Sequence, residues 1–273
     1  MSETSEAIGV SVIRDPSLEL RPSMGRTWRG IWNLTWKSQL NLARLPTILL
    51  VVFSMPVLIY CSVRSGNGED FLLMAIQINL SLVVPFSCLH SFGSMIRDEL
   101  QADTLGFLIS RPMTRFRLIL CKYLSQVLWL QILLTVNGAA VLLVGGFQEI
   151  PDILGIAGWY FLIQTVVIFT WGAMGTLMGL LSKNYLVLGF LYGSLVEFGL
   201  RQIPTNIKSL SLTHHIQKIL AGNTSIGDSF SWDPEGALKS YFILWAVAAG
   251  ALLISCFVFS LREYLPSDES SKK

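Results

Sequence analysis

The chain has 273 residues, of which 52% are hydrophobic and 14% charged, against roughly 25% charged in an ordinary soluble domain. Its mean hydropathy is +0.56 and its formal net charge +2, so the totals exclude a water-soluble globular protein and give no electrostatic reason to expect nucleic acid as a partner.

Residues 1–25 are polar, mix acids with arginines and lack an apolar core followed by a small-residue cleavage site; they read as a flexible arm and not a signal peptide. Residues 26–44, RTWRGIWNLTWKSQLNLAR, interleave tryptophans with basic and amide side chains. At helical spacing Trp28, Ile31, Trp32, Thr35 and Trp36 share a face while Arg29, Asn33 and Lys37 share another, which predicts an amphipathic helix lying in the membrane interface.

Leu45-Pro46 breaks this helix, because the residue before proline is pushed out of the helical region. Apolar runs of about 18 residues or more then predict six membrane spans, near 46–63, 71–95, 118–145, 153–181, 185–203 and 238–261. The fold class expected is therefore all-α integral membrane, with six transmembrane helices over 46–261, an N-terminal interfacial amphipathic helix and a tail at 262–273. Pro56 and Pro85 lie inside spans one and two, where each removes a backbone hydrogen bond and should kink its helix. Span three carries Lys122, Gln126, Gln131 and Asn137; the lysine can reach the interface, and the deeper amides need partners on other helices or a polar path. Gly175 with Gly179, and Gly189 with Gly193, are small-xxx-small pairs that let helices approach closely.

Glu197 sits near the end of span five, four residues before Arg201. An acid facing lipid is costly, so it must pair with Arg201, reach the interface, or serve gating or substrate contact; Gln131 and Asn137 are the other candidates for a translocation role. The loop 204–236 is the largest between spans, and IKSLSLTHHIQKIL within it has the apolar spacing of a short amphipathic helix. Asn223-Thr224-Ser225 is a glycosylation triplet.

With both termini cytoplasmic, fifteen Lys and Arg fall inside and five outside, in keeping with the positive-inside rule for a cell-membrane protein. Cys61, Cys88, Cys121 and Cys256 lie in or beside apolar spans and read as packing residues. No catalytic constellation, cofactor motif or metal spacing is found. GNTSIGDS, from Gly222, comes nearest a phosphate loop but has Asp228 where the lysine should be, and His90, His214 and His215 lack a second ligand at metal spacing and read as surface or interfacial.

One stretch is dense in charge: RDELQADTLGFLISRPMTRFRLILCK, Arg97 to Lys122. Asp98, Glu99 and Asp103 favour a helix start, Leu105, Leu108 and Ile109 give it an apolar face, and Pro112 ends it. The cytoplasmic loop 96–117 is thus either a short helix made for a groove on another protein or a solvated loop whose arginines fix orientation.

The segment resembles the one between the second and third spans of type-2, exporter-type permease subunits of ATP-binding cassette transporters. Glu99, Thr104, Leu105, Leu108, Ser110, Arg111, Pro112, Thr114, Arg115 and Lys122 match that pattern, while Asp103 and Cys121 replace its glycines. The resemblance implies a subunit that binds no ATP itself, with Mg-ATP held by separate ATPase partners. It implies a second permease copy, identical or paralogous, and docking of the ATPase on Asp98, Glu99, Asp103, Leu105, Leu108, Arg111 and Arg115. A stand-alone secondary carrier or membrane scaffold, using Glu197 and the span-three amides, is the alternative.

Overall fold

The structure is a computed structural model and describes residues 24–39, 49, 51, 74–101, 114–147, 153–199, 209–224, 232 and 234–261. Every regular element among them is helical. In chain order they are α1 (Met24–Gln39), a π-helical turn (Asn79–Val83) leading into α2 (Val84–Gln101), α3 (Arg115–Phe147), α4 (Ile153–Leu181), α5 (Tyr185–Tyr192) continued by a π-helix (Gly193–Gly199), α6 (Leu212–Asn223) and α7 (Ala237–Leu261). Among the described residues, four helical segments are long and apolar enough to cross a membrane: Met74–Met95, Arg115–Leu143, Ile153–Leu181 and Ala237–Leu261. Tyr185–Glu197 is apolar but shorter. The expected first span, 46–63, lies outside the described residues apart from Leu49 and Val51, as do residues 1–23 of the arm, whose last two residues open α1, and the tail 262–273.

Pro85 explains the π-turn before α2. Its ring cannot donate to the carbonyl four residues back and crowds it, so the helix widens over Asn79–Val83 before α2 resumes. The kink expected from sequence thus takes the form of a local change in winding.

The centre of the bundle is α4, which packs most extensively on α2 and α7 and also touches α3, α5 and α6. Its buried side chains include Ile163, Val167, Ile168 and Trp171, each at most 2% exposed. Glycine sets the approach of α2 to α4. A β-carbon at Gly179 would stand 2.9 Å from Gly93 Cα, and one at Gly175 would stand 3.1 Å from the Cys88 carbonyl oxygen. Nothing but hydrogen fits at Gly179. Gly179→Val is expected to separate α2 from α4 and to cost about 1–3 kcal/mol or more, the usual range for overpacking. A fall in thermal midpoint of the purified protein in detergent checks this; an unchanged midpoint would show that the helices are not held at this distance.

The second glycine pair behaves differently. Gly189 is packed on Leu89, but a β-carbon at Gly193 would meet nothing within 4 Å. Gly193 therefore leaves space where Gly175 and Gly179 close it.

Buried amides join the helices. Asn137 on α3 donates to the Val51 carbonyl at 2.7 Å and accepts from Asn79 Nδ2. Gln39 on α1 donates to Gln126 Oε1 at 3.2 Å, and Gln126 donates to Ser91 on α2. Without competing water such bonds hold helices in register, at roughly 0.6–2 kcal/mol each. Trp28, Trp32 and Trp36 stack along α1, and Trp36 meets Trp129 of α3 edge-on, with ring centroids 4.8 Å apart.

Candidate functional site

Two regions can carry function, one at each end of the bundle. At the end formed by the C-termini of α4 and α7, three cations bond to neighbouring helices. Arg97 Nε donates to the Gly179 carbonyl at 2.9 Å, and Arg115 Nη1 donates to the Ser260 carbonyl at 3.1 Å. Both carbonyls lie in last helical turns, where the helix dipole favours a positive charge. Lys122 is buried and donates to the Met95 carbonyl at 3.2 Å, so it ties α3 to α2 instead of reaching the interface. These bonds give Arg97, Arg115 and Lys122 structural work beyond orientation.

Asp98 and Glu99 lie in the last turn of α2; Asp103, Leu105, Leu108 and Arg111 fall in 102–113, outside the described residues. Of the expected docking set, only Arg115 has a described side-chain bond.

At the opposite end, the π-helix after α5 carries Glu197, which is 5% exposed. Its Oε2 accepts from the Ser211 hydroxyl at 2.7 Å and from the Thr213 N–H at 2.9 Å, and its Oε1 accepts from the Leu212 N–H at 3.0 Å. The carboxylate thus closes the N-terminus of α6, whose first N–H groups have no intrahelical acceptor. Ser211 is itself the N-cap and accepts from the His214 N–H at 3.2 Å. Arg201, expected as the partner of Glu197, lies outside the described residues; the described partners are all on the α6 start.

The face α6 turns to the bundle buries Leu212, Ile216, Ile219 and Leu220 against α4 and α7. His215 is on that face, 5% exposed, and not at a surface as its sequence context implied. Its Nε2 lies 2.9 Å from the Ser209 carbonyl and its Nδ1 3.0 Å from the Ser240 hydroxyl. Because a carbonyl only accepts, Nε2 carries the proton, and the neutral ring accepts at Nδ1 from Ser240. Burial pushes its pKa below the usual histidine value; Lys218 and Lys239 push the same way, while the Ser209 bond and Glu197 oppose them.

A depressed histidine pKa means that the unfolded state takes up the proton first. The contribution of His215 is complete above its unfolded pKa and is lost as pH falls through the lower folded value. Hydrogen exchange of α6, corrected for intrinsic rates, is therefore expected to accelerate between neutral pH and pH 5, and to lose that dependence in His215→Gln. Equal pH dependence in both forms would contradict this.

Between the two π-helices lies a groove of about 380 Å³, with Phe86 and Pro85 from α2, Trp171 from α4, and Phe190, Gly193 and Glu197 on the other wall. The open space at Gly193 is part of it. Trp171 packs edge-on against Tyr192 at 5.7 Å between centroids, and its indole N–H has no partner among the described residues. Phe86 and Phe190 are exposed on the outer surface, so the groove opens sideways from the bundle.

The span-three candidates separate. Asn137 is fully buried in the link to Asn79 and does not line the groove. Gln131 is half-buried and, among the described residues, donates within α3, to Thr135 Oγ1 at 3.4 Å. Neither belongs to the Glu197 site. The π-helices, which set its two walls, were missed in the sequence; Pro85 was the available signal for the first, and Gly193 and Gly199 for the second. No cluster of metal-ligating side chains occurs among the described residues.

No individual curated protein matches the chain. Residues 40–195, more than half of it, match the family described as ABC-2 family transporter protein, and this match includes the charged segment Arg97–Lys122 and the α2, α3 and α4 spans. With its apolar membrane-crossing helices, the chain is a multi-pass membrane protein and belongs to the ABC-2 transporter family as an ABC type-2 permease.

Proposed function

We propose that this permease couples ATP hydrolysis by separate cytoplasmic ATPase subunits to export, or to related work across the cell membrane, as one of two permease copies. The observation that carries the reading is the family match over residues 40–195, which includes the charge-dense segment Arg97–Lys122 between apolar spans. Both termini are cytoplasmic, the basic end of the bundle faces the cytoplasm, and α6 lies on the outer side. Helix α1 rests in the inner interface with its tryptophan stack at headgroup depth.

The loop 96–117 docks the ATPase through Asp98, Glu99, Asp103, Leu105, Leu108 and Arg111. Arg115 braces the loop's return to the membrane through Ser260. Movement of the docked loop reaches the bundle through α2, which is tied to α4 at Gly179 by Arg97 and to α3 at Met95 by Lys122. The groove beside Glu197 is where a transported molecule contacts the chain, and Glu197 joins that groove to the outer helix.

Co-expression with candidate ABC ATPase subunits from the same genome, followed by purification through a tag on this chain, tests the proposal. A stoichiometric complex is expected. Recovery of the permease alone, from membranes in which the ATPase is abundant, would overturn it.

A further inference from the structure

The chemistry of the groove says more about its ligand than its location does. Of the described residues lining it, Glu197 alone carries charge, and Phe86, Trp171 and Phe190 supply aromatic surface. By its described partners Glu197 is not saturated. A carboxylate offers about four acceptor positions, and Oε2 takes two donors here while Oε1 takes one. The N-terminus of α6 supplies about half a unit of positive charge, so the described contacts balance only part of the unit of negative charge on the carboxylate. No cation pairs with Glu197 among the described residues. A buried acid beside aromatic faces attracts a desolvated cation twice, through its charge and through the ring quadrupoles.

Size and shape agree with this. The volume is that of a small-molecule site, and the absence of a side chain at Gly193 keeps it open. An anionic ligand would meet Glu197 with like charge, and a polar neutral one would lose its hydration to mostly apolar walls.

We propose that the groove binds a cationic amphiphile, its apolar body between Phe86, Trp171 and Phe190 and its positive head against Glu197. This rests on the reading of the groove as the ligand-contact surface and names the chemical class it takes.

The test is equilibrium binding of tetraphenylphosphonium and of its isosteric anion tetraphenylborate to the full chain in phosphatidylcholine nanodiscs, with protein-free discs subtracted. Saturable binding of the cation is expected, with none of the anion, and Glu197→Gln should weaken the cation by about tenfold or more. Ser194→Lys, which puts a cation in the groove wall, should abolish phosphonium binding and admit the borate, a reversal that mere loosening of the fold would not produce. Gly193→Trp, which fills the groove, should abolish saturable binding.

Cation binding unchanged in both Glu197→Gln and Ser194→Lys, or borate binding as tight as phosphonium in the unmodified chain, would overturn the proposed class. If binding of either ion is nevertheless lost in Gly193→Trp, the groove stands as a ligand site. Saturable binding that survives in Gly193→Trp would overturn the groove reading itself, and absence of saturable binding by either ion would overturn the proposal.

Discussion

Replacing Glu197 by alanine is expected to release α6 from the bundle. The carboxylate receives three hydrogen bonds, from the Ser211 hydroxyl and the Leu212 and Thr213 N–H groups, all between 2.7 and 3.0 Å. Each is a bond to a charged acceptor, worth roughly 1.5–3 kcal/mol, and alanine leaves the donors buried with nothing to accept them. The α6 helix is short, and an isolated helix of that length does not hold itself together in water. Local destabilisation of about 2–4 kcal/mol follows, less than the sum of the bonds because water can enter the vacated space. Glu197→Gln should fall between alanine and the native residue, since it keeps one acceptor oxygen and loses the charge. Hydrogen exchange over residues 211–223 measures the effect directly. Native protection in the alanine variant would mean that apolar burial of Leu212, Ile216, Ile219 and Leu220 alone docks the helix.

The second large effect is expected at the other end of the bundle, where Glu99→Lys combined with Arg111→Glu should detach the ATPase. Reversing charges at a docking surface leaves like charges opposed and desolvated, and disrupting a close interfacial charge pair costs about 2–5 kcal/mol. The complex should be depleted by roughly a hundredfold at fixed subunit concentration. Arg115 is left unchanged in this variant because its guanidinium is bonded to the Ser260 carbonyl and its loss would disturb the bundle as well. Comparison of thermal midpoints separates the two causes: the double variant should melt like the native permease while failing to retain its partner. Retention of a full complement of ATPase would place docking elsewhere.

How much of this was legible in the sequence depends on how local the determining physics is. Apolar length predicted the long helices, and Arg115–Phe147, Ile153–Leu181 and Ala237–Leu261 cover the stretches expected near 118–145, 153–181 and 238–261. The glycine pattern foretold the close approach at Gly175 and Gly179, because small-xxx-small spacing acts through the shape of one helix face. It did not distinguish Gly193, where the same spacing leaves a groove, since that depends on what the neighbouring helix places opposite.

Glu197 was visible as an acid needing compensation, but its partners were not. A capping box puts its acid three residues after the cap, and that position is occupied here by His214; the acid arrives instead from fourteen residues earlier, on another helix. Lys122 was misjudged for a similar reason. Snorkelling is the default for an isolated helix, and the Met95 carbonyl offered by α2 replaces water as its partner. The want of a second ligand at metal spacing makes His215 read as a surface or interfacial residue, whereas helical spacing puts it on the same buried face as Leu212 and Ile219.

The central proposal is that the chain works with a separate ATPase subunit. The most direct measurement is ATP hydrolysis by the partner ATPase in nanodiscs with this permease, with the Glu99→Lys, Arg111→Glu variant, and without either. The account predicts hydrolysis several-fold faster with the native permease and a return to the basal rate with the variant. Hydrolysis indifferent to all three conditions, together with solute movement driven by an ion gradient in vesicles lacking the ATPase, would contradict it and make the chain a carrier in its own right.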